Sequence, residues 1–184
     1  RVKINNNYYT DTSTTSGFIY ISRDPRDIAI SYSKYINKDI DETIDFLLDG
    51  QIMGKEKINN KMPEITLNWN DHYLSWKKFS EVPSLFLKYE DLLKNIEGEI
   101  NKIVKFFYKN YDIKIENQNS KIKNIIQSTK FNTLKKKELI DGFPEKPEVS
   151  HCDFFRVGQR NQWKNKLNQE QINKIEQKFK EPLI

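Results

Sequence analysis

Residues Phe18–Tyr35 read FIYISRDPRDIAISYSKY, and the fold turns on how this stretch is understood. Phe18, Ile19, Tyr20 and Ile21 form a short, continuous β-prone run of the kind buried on both faces of a parallel sheet. Charge follows at once. Asp24 is a good helix N-cap, Pro25 suits the first helical position, and Asp27 sits three beyond the cap, where a carboxylate favours the helix dipole. The order predicts a strand that turns directly into a helix. Arg23 leaves the sheet at its carboxyl edge, where a planar fork of donors suits phosphate, and Ser31 lies about two turns into the helix near the face of Asp24, Asp27 and Ile28. Two readings stay open on these residues alone. They form a phosphate clamp, or Arg23 pairs with Asp24 or Asp27 while Ser31 bonds back within its own helix.

Outward from this stretch the pattern repeats. Leu85-Phe86-Leu87 is a second strand candidate, it ends in Lys88-Tyr89-Glu90-Asp91, and Leu93, Ile96, Ile100, Ile103, Val104 and Phe107 then keep helical spacing. Between the two units, residues 41–48 predict a short helix, a polar loop runs through Asn60, and Trp69, His72, Tyr73, Trp76 and Phe79 mark an amphipathic helix. Residues 118–128 and 168–180 predict further helices, while DGFPEKPEVSH at 141–151 has the Gly and Pro of a loop. The opening segment to Ser16, rich in Asn and Thr, reads as a loop. Repeated strand-to-helix units argue for an α/β fold with a parallel sheet, whose ligands sit at the carboxyl ends of the strands.

Composition sets the bounds. A chain of 184 residues, 36% hydrophobic, is read as one domain over residues 1–184. Its 31 Lys+Arg against 26 Asp+Glu give +5, enough to steer anions but without the dense basic stripe of a nucleic-acid binder. Cys152 is the only cysteine, so neither an intrachain disulfide nor a cysteine-based metal site is expected, which fits a cytoplasmic protein. No apolar run has the roughly 20 residues of a membrane span, and RVKINNNYYT lacks the apolar core of a signal peptide and an initiator Met.

Several segments together carry a family resemblance. IYISRDPRDIAISYSKY resembles the 3′-phosphate-binding segment of sulfotransferases that use 3′-phosphoadenosine 5′-phosphosulfate (PAPS). Trp69, His72 and Trp76 resemble the family's W-x-x-H-x-x-x-W helix, and PSLFLKYEDLL its second strand with a Tyr-Glu-Asp end. Thr129-Lys130-Phe131 is similar to its Thr-x-Phe adenine-side loop, and FFRVGQRNQWKN to its C-terminal Arg-x-Gly segment with a following Trp-Lys. These segments follow in the family's order over nearly the whole chain.

The resemblance implies a three-layer fold, a central parallel sheet flanked by helices, of the P-loop-like sulfotransferase type. It implies that Arg23 and Ser31 hold the nucleotide 3′-phosphate, and that Arg156 with the Gly158 backbone closes on it. Tyr89, Thr129 and Phe131 would line the adenosine side, with Phe154 and Phe155 packing nearby. The loop from His151 to Trp163 is expected to be mobile until an anion fixes Arg156. The implied reaction moves a sulfuryl group from PAPS, the co-substrate, to a hydroxyl or amine of a small-molecule or glycan acceptor, without a metal, nucleic acid or membrane span. Residues 38–63 and 140–151 are candidates for acceptor loops.

Departures from the family's pattern shape the expectation. The family's Arg-Lys-Gly reads Arg156-Val157-Gly158, removing a cation, and its Gly-Asp before Trp-Lys reads Asn161-Gln162. Its C-terminal dimer pattern is not reproduced in residues 164–169. The P-loop-like Lys-Ser-Gly-Thr-Thr and the Lys-Thr-His that supplies a base do not occur, while His72 belongs to the helix motif and His151 to a loop. The chain is therefore expected to be N-terminally incomplete and inactive alone, with the catalytic base upstream of Arg1. The alternative is a catalytically degenerate nucleotide-binding or interaction module of the same fold; a P-loop kinase is a weaker third reading.

Overall fold

A computed structural model of the chain describes residues 3–4, 7–8, 11–53, 64–146 and 149–179. The chain divides into two compact units, each built from separated segments. The first comprises Arg1–Arg23, Phe79–Pro144 and Phe155–Gln159; the second comprises Asp24–Lys78, Glu145–Phe154 and Arg160–Ile184.

In the first unit β1 (Lys3–Ile4) pairs antiparallel with β2 (Asn7–Tyr8), within the segment read from sequence as a loop. Two-residue strands are too short to show a period of two, which is why they escape a pattern search. β3 (Phe18–Ser22) follows. Its parallel partner, spaced far along the chain, is Ser84–Lys88, in the register Phe18↔Ser84 through Ser22↔Lys88. The α/β class and the parallel pairing therefore agree with the sequence. Phe18 stacks on Phe79 at 5.9 Å and meets Phe86 edge-on at 5.8 Å, so aromatic contacts secure the start of the pair.

The second unit opens with α1 (Pro25–Tyr35), capped by the Asp24 side chain, which accepts from the Arg26 N–H. Next come α2 (Ile40–Asp49), capped by Asp39 and ended by Gly50 at φ 66°, and the antiparallel pair β4 (Gln51–Met53) and β5 (Glu64–Thr66). The polar loop expected through Asn60 takes in β4, and β5 beyond it had no assignment from sequence; three-residue strands again carry too little pattern. Residues 54–63 of the acceptor-loop candidate 38–63, and 147–148 of the candidate 140–151, lie outside the described residues. α3 (Trp69–Lys77) completes the Trp-His-Trp helix: Trp69 packs on Phe179 at 5.5 Å, while His72 is solvent-exposed.

β6 (Ser84–Lys88) returns the chain to the first unit and runs straight into α4 (Tyr89–Lys94). The single helix predicted from Leu93 to Phe107 is divided at Asn95, whose φ of −149° ends α4 and whose side chain accepts from the Gly98 N–H to start α5 (Ile96–Tyr111). Helical spacing of apolar residues runs across this break because a cap residue interrupts the backbone without disturbing the pattern. Ile100 and Val104 of α5 pack with Ile122 of α6 (Gln118–Ser128) in the core of this unit. α7 (Phe131–Asp141) was not foreseen, since the resemblance read Thr129–Phe131 as a loop. Thr129 caps the end of α6 and Lys130 the start of α7, so the loop is a tight junction between helices.

α8 (Trp163–Lys166) and α9 (Gln169–Lys178) close the second unit, the latter begun by a reciprocal capping box between Asn168 and Gln171. Its core joins Ala29, Ile30, Ile44, Leu47, Leu48, Leu167, Ile175 and Phe179. Ile44, Ile175 and Phe179 are fully buried, each contributing roughly 1.5–3 kcal/mol by leaving water. Among the described residues, no helix is long and apolar enough to cross a membrane.

Candidate functional site

Parallel register decides the geometry at the end of β3. Because Ser22 is paired with Lys88, the next residues of the two strands, Arg23 and Tyr89, emerge side by side at the carboxyl edge. The Arg23 guanidinium lies 4.5 Å from the Tyr89 ring centroid, a cation–π contact that holds the fork flat. One of its terminal nitrogens donates to the Gln159 carbonyl at 3.3 Å. Its Nε is buried and meets no hydrogen-bond partner among the described residues. A buried N–H left without an acceptor is costly, so this guanidinium keeps unused capacity for an anion.

The same unit gathers most of the residues singled out from sequence. Phe131, at the start of α7, meets Phe155 edge-on at 6.3 Å. Gly158 adopts φ 62°, and a Cβ built there would lie 2.3 Å from Phe131 Cδ2, so backbone and ring touch where only glycine fits. Glu138 of α7, buried, accepts from the Phe155 N–H at 2.8 Å. Arg156 is half-buried in the turn between, and Val157, which stands in the family's cation position, is 42% exposed. Thr129 is exposed, its hydroxyl donating to the Ile125 carbonyl at 2.6 Å.

Ser31 and Phe154 belong to the second unit. The Ser31 hydroxyl donates to the Ile28 carbonyl at 3.2 Å, which is the local back-bond weighed from sequence. Phe154, 47% exposed, meets the Tyr35 ring edge-on at 5.9 Å, so two adjacent phenylalanines pack in different units. Asp24 and Asp27 are not partners of Arg23. Asp24 caps α1 and pairs with Arg26 at 2.7 Å. Arg26 also bonds Glu176 at 2.6 Å and lies 3.8 Å over the Trp163 ring. Burial pulls the Arg26 pKa down, and the bonds to Asp24 and Glu176 more than offset this, leaving it above the ordinary arginine value. Asp27 accepts from the Asn161 and Trp163 N–H groups. Sequence reading missed Arg26, Asp27, Glu138, Gln159 and Trp163 as a supporting set, because their partners lie far away in the chain.

Asn161 takes φ 61°, the left-handed region, where the family's pattern has glycine. Asn is among the few side chains that adopt it readily, so this departure preserves the backbone. An open apolar cleft of about 390 Å³, lined by Ser16, Gly17, Phe18 and the rings of Phe106, Phe107 and Tyr111, lies at the opposite, amino end of β3. Ligands of parallel sheets gather at the carboxyl ends, which favours the Arg23 edge. Among the described residues no cluster of His, Cys, Asp or Glu is placed to hold a metal.

Comparison with known proteins settles the family. The family described as sulfotransferase domain matches residues 13–183. The chain belongs to the sulfotransferase family. It is 28% identical over 172 residues to sulfotransferase 1B1 of Canis lupus familiaris, and 28% identical over 175 residues to flavonol 3-sulfotransferase of Flaveria bidentis. Each alignment takes in 90% of this chain and 54% of the relative, so this sulfotransferase chain spans about half the length of the curated relatives it matches. Cytosolic sulfotransferase 16 of Arabidopsis thaliana is 27% identical over 194 residues, covering 97% of this chain and 55% of its own. In fold it is similar to the crystal structure of mouse sulfotransferase SULT7A1 complexed with PAP, with a TM-score of 0.60 at 22% identity, over 86% of this chain and 56% of the other.

Proposed function

We propose that this chain carries the nucleotide-binding part of a PAPS-dependent sulfotransferase that acts on a hydroxyl or amine of a small-molecule or glycan acceptor in the cytoplasm. The observation that carries the reading is Arg23: a guanidinium at the carboxyl edge of a parallel pair, held flat by Tyr89, with a buried Nε that meets no acceptor among the described residues. The surrounding residues fit the nucleotide. Tyr89, Phe131 and Phe155 offer ring faces suited to adenine, and Gly158 provides a backbone approach free of a side chain. PAPS, when bound, supplies the sulfuryl group. In this proposal Arg23 binds the 3′-phosphate and Arg156 with the Gly158 N–H adds to the same anion site, while Ser31 is assigned to that phosphate on the strength of the motif match alone. Thr129 and Phe154 are proposed to flank the adenosine on the strength of the motif match. Likeness supports the proposed location and nucleotide, since one relative is named as cytosolic and the SULT7A1 structure holds PAP.

A second reading has one observation in its favour. Val157 stands exposed where the family's pattern carries lysine, which suits a module that binds nucleotide weakly and without transfer. Titration calorimetry with adenosine 3′,5′-bisphosphate and adenosine 5′-phosphate tests the main proposal. Charged hydrogen bonds are worth roughly 1.5–3 kcal/mol, so Arg23→Ala should weaken the bisphosphate by about one to two decades and barely change the monophosphate. Equal losses for both ligands, or no bisphosphate binding by the wild type, would overturn it. Sulfate transfer by the longer protein, measured with PAPS and a broad acceptor panel, separates enzyme from degenerate module.

A further inference from the structure

Charge is not spread evenly over this chain. From Asn117, the N-cap of α6, to Gly142, the C-cap of α7, the sequence carries six lysines (Lys121, Lys123, Lys130, Lys135, Lys136 and Lys137) against two carboxylates, Glu138 and Asp141. This surplus of four is nearly the whole +5 of the protein, and the remainder of the chain is almost neutral. Glu138 is buried and accepts from the Phe155 N–H at 2.8 Å, so Asp141 is the one exposed carboxylate of the stretch. Lys135 is half-buried and the other five lysines are exposed. All of these residues lie in the first unit.

α7 sorts its residues by face. At about 100° per residue, Phe131, Leu134 and Glu138 fall on one side of the helix, and this is the side that packs. Phe131 meets Phe155 and Gly158 there, and Glu138 holds the Phe155 amide. Lys136, Leu139 and Ile140 fall on the opposite side, at spacings of three and four. Leu139 is 68% and Ile140 83% exposed, and among the described residues no other large hydrophobic side chain is as exposed as either. A lone exposed aliphatic residue is ordinary, but an adjacent pair set among lysines is a surface of two chemistries. A nucleic-acid backbone would use the lysines and leave the aliphatic pair in water. An anionic bilayer uses both, because its headgroups meet the cations and the acyl boundary beneath them takes up the aliphatic side chains.

We propose that the outer face of α7 docks on an anionic phospholipid surface, with Lys136 and Lys137 at the headgroups and Leu139 and Ile140 at the acyl boundary. The contact is peripheral and reversible, since two aliphatic side chains and a few lysines do not make an anchor. It stands on α6 and α7 alone and does not depend on the nucleotide reading.

Vesicle co-sedimentation of the 184-residue chain tests it. The wild type should bind phosphatidylcholine vesicles that contain phosphatidylserine at least about tenfold more strongly than phosphatidylcholine alone, and the difference should vanish at about 0.5 M salt. Lys136→Gln with Lys137→Gln, and separately Leu139→Ser with Ile140→Ser, should each weaken that binding about tenfold. All four side chains are exposed, so neither pair of substitutions should move the melting temperature. Ile140→Trp should emit at shorter wavelength on mixing with the anionic vesicles, beyond any change in the wild type, as the indole enters the boundary. No preference for anionic vesicles would overturn the proposal, as would an Ile140→Trp emission that does not shift. Loss of binding in the lysine variant alone, with the aliphatic variant binding as the wild type does, would overturn it too and mark the face as a site for a polyanion such as nucleic acid. A chain that binds no nucleotide defeats the functional proposal and leaves these readouts untouched.

Discussion

Gly158→Ala is the sharpest probe of the geometry around the candidate site. The added Cβ would sit 2.3 Å from Phe131 Cδ2 and 2.6 Å from Cε2, whereas ordinary contact begins near 3.4 Å. Ring or backbone must therefore retreat by about 1 Å, an overpacking strain of about 1–3 kcal/mol. The backbone adds its own cost, because φ 62° disfavours alanine by about 1–2 kcal/mol. Reduced freedom of the unfolded chain returns about 0.4–1 kcal/mol. The sum is a destabilisation of about 1–4.5 kcal/mol, read by urea unfolding. A double-mutant cycle separates the two causes. With Phe131→Ala in the background the clash disappears and only the backbone cost remains, so the two substitutions should couple by about 1–3 kcal/mol. Additivity within about 0.5 kcal/mol would refute the claim that Gly158 is required by the Phe131 ring.

Arg26→Ala breaks the pairs with Asp24 and Glu176 and uncovers the Trp163 ring, and it should cost about 3–5 kcal/mol by thermal melting; Arg26→Lys should recover only part, since an ammonium cannot reproduce the flat fork. Asn161→Gly should leave stability within about 0.5 kcal/mol, while Asn161→Val, forced into φ 61°, should lose at least about 1 kcal/mol by the same measurement. Asn168→Ala removes the capping box of α9 and should destabilise by about 1 kcal/mol, with faster amide exchange confined to the first turn of that helix.

Local chemistry made much of this molecule legible before any coordinates. The β-prone run at Phe18, the Asp24-Pro25 start of α1 and the matching run at Leu85 are signals carried within a few residues, and β3, α1 and β6 appear where those signals lie. Motif order likewise marked Arg23, Tyr89, Phe131, Phe155, Arg156 and Gly158, residues that the structure collects in one unit. What sequence could not assign is which charged residue serves which purpose. In Arg23-Asp24-Pro25-Arg26-Asp27 the charges look equivalent on paper, yet the Arg23 Nε has no partner among the described residues, Arg26 is committed to Glu176 and Trp163, and Asp27 to the amides of Asn161 and Trp163. Each of those partners lies more than a hundred residues further along the chain. Residues that near in sequence can be told apart only by the direction each side chain takes, and that direction is set by packing between distant segments, which no local pattern records.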